Sequence, residues 1–166
     1  MIKFRGIPLE DTSDIDDVYF NFDGTFVYGN YVKYGEGALI VGDVLEASED
    51  GIWPSWWASV VPKTVEQFTG LTDVNGKEIY EGDILRLSYE EPKTYIYKDE
   101  YDPKPKIIAP KKVTRTAQVT KDAGTFGVSI YKVVFMALRD VDKGRQTVEV
   151  IGNVHENPEL LEADDD

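Results

Sequence analysis

The chain has 166 residues, of which 42% are hydrophobic and 12% aromatic, so it can form a core and is too apolar to be disordered throughout. Cysteine is absent and histidine occurs once, at His155, which excludes disulfides, thiolate zinc sites and a site with several histidine ligands from one chain. The formal net charge of −13 repels nucleic-acid phosphates overall.

The charge is unevenly placed along the sequence. Between Gly6 and Pro62 there are eleven acidic residues and one basic residue, Lys33. Between Lys104 and Lys121 there are six basic residues and no acidic residue. Charge runs of this kind usually form solvated loops. They also permit a second interpretation, in which an acidic and a basic surface meet across a subunit interface and steer its assembly.

Alternating apolar and polar residues, interrupted by turn residues, predict short β-strands in the first third of the chain. Asp23-Gly24 is predicted to be a hairpin turn, and Ser48 to Gly51 a second turn. The predicted strands are Met1–Phe4, Val18–Phe22, Thr25–Val32, Leu39–Leu45 and Trp56–Val61.

The middle of the chain begins with a predicted helical turn over Pro62 to Phe68, with Thr64 as its cap. Asp73 to Lys77 is predicted to be a tight turn, because Asn75-Gly76 tolerates positive φ. Residues 90–112 contain four prolines and are predicted to be a loop or extended excursion, since proline cannot donate to a strand ladder.

The remaining elements are strands followed by a short helix over Asn157 to Leu161, with Asn157 as its cap and Pro158 in its first position. Residues 162–166 are an acidic tail that is predicted to fray. Together the elements predict a mainly β fold with one or two short helical turns. The later predicted strands are Ile84–Tyr89, Val113–Thr120, Phe126–Ile130, Tyr131–Leu138 and Thr147–Ile151.

Three blocks of sequence, in order along the chain, resemble the YopX-like family of bacteriophage and prophage proteins. The resemblance implies short-stranded barrel or sandwich subdomains that share a core, and it carries no functional residue onto this sequence. Glu66 stands where that family often has glycine. The blocks are Met1–Gly6 with Phe26–Gly29, then Thr64–Ile84, then Glu149–Leu161.

On this basis we expect one YopX-like domain over residues 1–161. It would have a strand-rich N-terminal part over residues 1–61 and a small C-terminal barrel over residues 62–161, with a loop excursion at 90–112. The N-terminal residues lack the apolar run of a signal peptide, and the sequence contains no apolar stretch long enough to span a membrane. We therefore expect a protein of the bacterial host cytoplasm.

Candidate catalytic and metal-binding residues favour structural roles. Gly70 to Glu78 is similar to a phosphate-binding loop, but it is one residue too long and Glu78 replaces the hydroxyl that would hold magnesium. Glu81 and Asp83 flank a turn glycine, and His155 precedes a capped helix without a nucleophile motif nearby. The aspartate clusters at 14–17 and 164–166 lack calcium-loop spacing. We expect no enzyme activity and no cofactor.

Two aromatic segments are candidate binding surfaces. Trp53, Trp56 and Trp57 form a dense patch whose rings either enter the core or contact a partner, which we expect to be another copy of the chain. The second segment combines tyrosines with lysines, as single-strand nucleic-acid binders do. Its candidate residues are Tyr95, Tyr97, Tyr101, Lys104, Lys106, Lys111 and Lys112.

The sequence thus predicts a phage or prophage accessory protein that acts through protein–protein contacts, as a homo-oligomer or on a host protein. One alternative is a DNA-mimic inhibitor of a host enzyme, which would need acidic side chains in two rows on one face. The other is a nucleic-acid-binding module that uses residues 95–121.

Overall fold

The fold is seen in a computed structural model that describes residues 3–9, 20–101, 104–130, 134–141 and 146–162. The chain divides into two compact units. The first unit contains Met1–Leu71 and Glu78–Glu81, and the second contains Thr72–Lys77 and Gly82–Asp166. The sequence placed residues 62–71 with the C-terminal part, whereas in the structure they belong to the first unit.

The first unit is built on a six-stranded sheet with the strand order β6-β3-β2-β1-β7-β8. A second, two-stranded ladder joins β4 to β5. A 3-10 helix over Pro62–Thr64 connects β6 to β7. The strands are β1 (Phe4–Gly6), β2 (Val27–Tyr34), β3 (Gly37–Val41), β4 (Val44–Ser48), β5 (Gly51–Pro54), β6 (Trp57–Val60), β7 (Glu66–Thr72) and β8 (Glu78–Tyr80).

This sheet curls because the chain beyond β1 returns to its opposite edge. The amide of Leu9 donates to the Ser59 carbonyl over 2.9 Å, and the amide of Val61 donates to the Ile7 carbonyl over 2.8 Å. These bonds pair the free edge of β6, which would otherwise be open to another strand. The core enclosed by the curl consists of Val27, Ala38, Ile40, Trp56 and Val60.

Strands β3 and β6 continue outward as β4 and β5, so that Gly37 to Val60 forms one long hairpin. At the junction the Gly42 amide donates to the Trp56 carbonyl over 2.9 Å, and the Ser55 amide donates to the Asp43 carbonyl over 2.7 Å. A Cβ at Gly42 would lie 2.5 Å from the Trp56 indole nitrogen, so only glycine fits there. We call the outer part of this hairpin, residues 43–54, the distal arm.

The second unit is built on a five-stranded sheet with the order β14-β13-β12-β9-β15 and a separate ladder of β10 with β11. A short helix α1 (Leu138–Val141) follows β14, and a 3-10 helix covers Pro158–Leu161. The strands are β9 (Asp83–Glu90), β10 (Thr94–Ile96), β11 (Lys106–Ile108), β12 (Lys112–Asp122), β13 (Thr125–Ile130), β14 (Val134–Ala137) and β15 (Gln146–Asn153).

The mainly β fold with short helical segments is confirmed. The helix predicted over Pro62–Phe68 ends at Thr64, because Glu66 onward pairs with β1 as a strand. Thr64 is not its cap; its hydroxyl donates to the Val61 carbonyl and accepts from the Ile7 amide. Asn157 also makes no side-chain cap bond, although Pro158 starts the helix as predicted.

Two further predictions on elements are wrong in detail. The strand predicted over Leu39–Leu45 is interrupted at Gly42 and Asp43, between β3 and β4. Residues 90–112 are an excursion, as predicted, but they contain the β10–β11 hairpin. The predictions for residues 1–2, 18–19, 131–133 and 163–166 lie outside the described residues.

Candidate interaction surfaces

The three tryptophans of the aromatic patch have different environments. Trp56 is 8% exposed and packs in the core, with its ring 5.8 Å from that of Phe20. Trp53 and Trp57 are 62% and 59% exposed. Trp57 lies at the start of β6, and Trp53 lies on β5 of the distal arm. The patch therefore supplies one core ring and two exposed rings.

The distal arm exposes apolar side chains beyond those that the sequence singled out. Its register pairs Val44 with Pro54 and Ala47 with Ile52, so these four residues share one face of the arm. Trp53 pairs with Glu46 on the opposite face. Every residue of β4 is exposed, including Leu45 at 75%, so β4 does not contribute to the core.

The charge of the distal arm has one sign. Residues 43–54 contain the acids Asp43, Glu46, Glu49 and Asp50 and no basic residue, which gives a formal charge of 0 − 4 = −4. The turn at its tip places Glu49 and Asp50 next to each other. The arm is therefore an acidic ribbon that also exposes large apolar side chains.

The β10–β11 hairpin is the corresponding feature of the second unit. Its register pairs Tyr95 with Ile107, Thr94 with Ile108 and Ile96 with Lys106, and all six residues are exposed. Residues 94–108, from the start of β10 to the end of β11, contain three lysines and three acids, which gives a formal charge of 3 − 3 = 0. The hairpin exposes apolar side chains on both faces, and the lysines at 93, 111 and 112 flank its base.

The other residues of the Tyr–Lys segment surround this hairpin on the surface of the second unit. Tyr97 and Tyr101 are exposed, as are Lys104, Lys111 and Lys112. The sequence predicted the tyrosines and lysines but missed Ile96, Ile107 and Ile108. The sequence did contain a signal for these three isoleucines, because they lie in a segment rich in proline and lysine. Such a segment has few positions in the core, so its apolar side chains are expected to be exposed.

The candidate catalytic residues do not form an arrangement of acid, base and nucleophile. Asp83 is 1% exposed, and its Oδ1 accepts from Asn153 Nδ2 over 3.3 Å. Asn153 Oδ1 in turn accepts from the backbone amide of His155 over 2.9 Å, while the His155 side chain lies at the surface. Asp83 and Asn153 thereby fasten two blocks of the resemblance, at the start of β9 and the end of β15.

The segment that is similar to a phosphate loop is a turn organised by one carboxylate. Asp73 Oδ1 accepts from the amides of Asn75 and Lys77, and Asp73 Oδ2 accepts from the amide of Val150 on β15. Burial acts to raise the pKa of Asp73, but these backbone hydrogen bonds outweigh it and lower the pKa. Strand β8 follows the turn, so no helix N-terminus is available for a phosphate.

A polar cluster lies on one face of β1, β2, β7 and β8. The guanidinium of Arg5 pairs with Glu66 and lies 4.3 Å from the ring centroids of both Phe26 and Tyr80. The Tyr80 hydroxyl donates to Glu78 Oε2 over 2.8 Å, as does Lys3 Nζ. These groups satisfy one another, which indicates a structural role for the cluster.

The acidic candidates for metal binding do not assemble into a site in the described part of the chain. Within the described ranges, no group of three histidine, aspartate or glutamate residues could hold a metal ion. The aspartates at 14–17 and 164–166 lie outside those ranges, so the two acidic rows of a DNA mimic remain a prediction. No helix in the described part of the chain is long and apolar enough to cross a bilayer.

Comparison with known proteins adds a family assignment. The family model described as YopX protein matches residues 3–162. Among solved structures, the chain is similar to the crystal structure of protein EF1440 from Enterococcus faecalis. The identity is 24%, the match covers 97% of this chain and 98% of that chain, and the TM-score is 0.46. No curated protein matches the chain. Because the family model spans nearly the whole sequence, the chain belongs to the YopX protein family.

Proposed function

We propose that this chain is a non-enzymatic accessory protein of a phage or prophage, which binds other proteins in the cytoplasm of the bacterial host. Its partners are further copies of itself or a host protein. The observation that carries this proposal is the distal arm, which projects from the core of the first unit and exposes apolar side chains on both faces.

The arm has the properties of a binding element rather than of a stabilising one. A two-stranded hairpin exposed on both faces is marginally stable in water, so nothing in its own packing explains the presence of Leu45, Ile52 and Trp53. Tryptophan is enriched among the residues that dominate binding energy at interfaces. An exposed apolar face rimmed by acids, as on this arm, is typical of a protein–protein contact.

The arrangement of the acidic candidates supports a function without catalysis. Asp83 is buried against Asn153, and Asp73 accepts three backbone hydrogen bonds, so both carboxylates act in holding turns. His155 contributes its backbone amide to the same arrangement. Each of these residues has a structural role that accounts for its position.

The test is to capture binding partners with tagged full-length protein in lysate of the bacterial host, with and without nuclease. The variant is Ile52→Ser/Trp53→Ser, and the matched control is Val74→Ser, which changes an equally exposed apolar residue of the second unit. We expect a stoichiometric protein, either host protein or untagged chain, that survives nuclease and is lost with the arm variant alone. Equal recovery of the captured protein with the wild type, the arm variant and the Val74→Ser control would overturn the proposal.

A second candidate function is binding of single-stranded nucleic acid by the Tyr–Lys segment. The specific observation in its favour is that Tyr95 and Tyr97 are exposed beside Lys106, so bases could stack while lysines neutralise phosphates. Fluorescence anisotropy with a labelled oligonucleotide tests this candidate. Affinity should fall steeply with salt and with Lys106→Gln/Lys111→Gln, whereas salt-independent or absent binding would exclude it.

A further inference from the structure

We infer that the outer face of strands β2, β3 and β6 docks on the same face of a second copy of this chain. The outer face is the side of these three strands that points away from the core of the first unit. The inference rests on the proposed function and deepens it, because it assigns self-association to this sheet face and leaves the distal arm for a host protein.

The register of the three strands places eight residues on the outer face. Along β3, burial alternates: Ala38 and Ile40 are buried in the core, and the residues between them are turned to the other side. The same alternation extends through the cross-strand pairs to β2 and β6. The eight residues form the rows Tyr34–Gly37, Val32–Leu39–Ser59 and Asn30–Val41–Trp57.

Apolar side chains dominate the outer face and remain in contact with water. Val32, Tyr34 and Trp57 are 43%, 50% and 59% exposed. Leu39 and Val41 lie between them on the central strand and are half-buried. These five side chains are cross-strand neighbours, so they form one apolar surface of the kind that marks a protein–protein contact.

Tyr34 extends this surface because a glycine lies opposite it. The two residues Tyr34 and Gly37 are paired in the β2–β3 register. A Cβ at Gly37 would lie 2.5 Å from Tyr34 Cζ, so the phenol ring lies against the backbone of β3. A larger residue at position 37 would displace the ring from the sheet. The ring therefore adds an aromatic surface to the outer face, at the end opposite to Trp57.

The absence of charge on the outer face indicates what covers it. None of its eight residues is charged, although the chain has a net charge of −13. Two copies repel each other in most orientations, whereas these faces can meet without opposing like charges. A contact between identical faces requires this property, because each group near the two-fold axis is opposed by its own counterpart. A host protein with a basic surface is instead suited to the acidic distal arm.

Leu39 has the central position in such a contact. It lies in the middle strand and in the middle row of the outer face. A two-fold axis through the centre of the contact therefore brings Leu39 of one copy against Leu39 of the other. Two sheets stacked in this way form an aligned sandwich, which removes the facing apolar side chains of both sheets from water.

The experiment is sedimentation velocity of the full-length chain over a range of concentrations, with opposite charges introduced at the centre of the face. Leu39→Glu and Leu39→Lys each place a charge opposite its own copy, so each variant alone should raise the dimer dissociation constant at least about tenfold. An equimolar mixture places glutamate opposite lysine and should restore dimers. Val74→Glu adds the same charge at an exposed position of the second unit and should dimerise as the wild type does.

A second variant separates loss of the contact from damage to the fold. Because Leu39 is half-buried, circular dichroism must show that its charged variants are folded. Trp57→Ser changes a side chain that is 59% exposed and introduces no charge, so it should weaken the dimer without unfolding the chain. Restoration of dimers in the mixture would itself show that both Leu39 variants are folded.

Ionic strength provides an independent measurement. Raising it from about 0.1 M to about 1 M should strengthen the wild-type dimer, because salt screens the repulsion between two acidic chains. An assembly held by opposite charges would weaken under the same change. A dimer that weakens with salt would therefore contradict a contact through the uncharged outer face.

Four further results would overturn the inference. They are a wild type that is monomeric at every concentration, a dimer that neither Leu39 variant disrupts, a mixture that stays monomeric, and dissociation by Ile52→Ser/Trp53→Ser, which would place the contact on the distal arm. The proposed function survives each of them if the arm variant alone loses a host protein from lysate. Conversely, a dimer that behaves as expected, together with host-protein capture that the arm variant does not change, would contradict the proposed role of the arm and leave this inference standing.

Discussion

Arg5 and Glu66 form an ion pair in the interior of the first unit, with 2.6 Å between Arg5 Nη2 and Glu66 Oε2 and side chains that are 5% and 4% exposed. The two residues are opposite each other in the β1–β7 register. The guanidinium also lies against the rings of both Phe26 and Tyr80. Glycine at position 66 would leave the Arg5 guanidinium without this carboxylate.

Removing Glu66 alone should strongly destabilise the first unit. Glu66→Ala leaves the Arg5 charge buried without its carboxylate, and we expect a loss of about 3–5 kcal/mol in the free energy of unfolding. Arg5→Met/Glu66→Leu removes both charges and keeps apolar contact with Phe26 and Tyr80, so it should cost less than Glu66→Ala. Urea unfolding of the variants checks this. A loss for Arg5→Met/Glu66→Leu that equals the sum of the losses for Arg5→Met alone and Glu66→Leu alone would show that the pair is not coupled.

Substitution of Asp73 should destabilise the second unit through the turn that it organises. Asp73→Ala leaves the amides of Asn75, Lys77 and Val150 without their acceptor, and we expect a loss of about 2 kcal/mol or more. Asp73→Asn keeps one oxygen and should lose less. Asn75→Ala is the control, because the turn uses its backbone amide and not its side chain. Equal stability of Asp73→Ala and Asn75→Ala would contradict this role.

The same carboxylate predicts an acid dependence of stability. The folded-state pKa of Asp73 lies below its ordinary value of 3.8, so its contribution is complete well above that pH. The contribution is lost as the pH falls through 3.8 towards the folded-state pKa. The stability difference between wild type and Asp73→Asn should therefore shrink on acidification, as measured by urea unfolding at a series of pH values. A difference that is constant with pH would refute this origin.

Local sequence signals predicted the elements that depend on local conformation. The Asp73–Lys77 turn was predicted because Asn75-Gly76 accepts a positive φ, and Gly76 has φ of 82°. The strand over Glu66–Thr72 was missed because Pro62 and Thr64 favour a helical start. Pairing with β1 overrides that local preference, and the paired residues Arg5 and Glu66 are 61 positions apart in the sequence.

The binding surfaces were only partly predictable, because residue type does not determine exposure. Trp56 and Trp57 are neighbours, yet one lies in the core and the other at the surface, as alternation along a strand requires. Val44, Leu45 and Ile52 are of the same types as core residues of the protein. Their exposure follows from their place in the β4–β5 ladder, which is separate from the six-stranded sheet that packs on the core.

Two tyrosines, the buried Tyr80 and the half-buried Tyr28, predict an alkaline limit to the stability of the first unit. Burial raises the pKa of both Tyr28 and Tyr80, and the carboxylates of Asp23 and Glu78, which accept from their hydroxyls, raise it further. Because the folded-state pKa values exceed the unfolded ones, the stabilisation is complete below about pH 10 and is lost as the pH rises above it. Tyr80→Phe should shift alkaline unfolding, followed by phenolate absorbance, to higher pH.

The exposed Tyr34 of β2 provides the control for this prediction. Tyr34→Phe removes a hydroxyl without changing the buried cluster, so the pH of alkaline unfolding should not move. If Tyr34→Phe and Tyr80→Phe shift it equally, general deprotonation of the chain and not the buried hydroxyl would be the cause.

The contact between Asp83 and Asn153 predicts an unusual effect of a conservative change. Asn153→Asp keeps an acceptor for the His155 amide but replaces the donor to Asp83 with a second carboxylate at a distance of about 3.3 Å. Like charges that close and buried cannot both ionise without cost. At neutral pH we therefore expect Asn153→Asp to be less stable than Asn153→Ala, which removes the hydrogen bonds but adds no charge.

Acidification should reverse that order. Once one carboxyl of the pair is protonated, it can donate to the other, and the hydrogen bond between β9 and β15 is restored. The free energy of unfolding of Asn153→Asp should therefore rise relative to that of Asn153→Ala as the pH is lowered from about 7 towards about 5. If both variants respond to pH in parallel, the Asp83 side chain is not in contact with position 153 in solution. That result would mean that the backbone ladder between β9 and β15 holds these two blocks of the resemblance together without the side-chain contact.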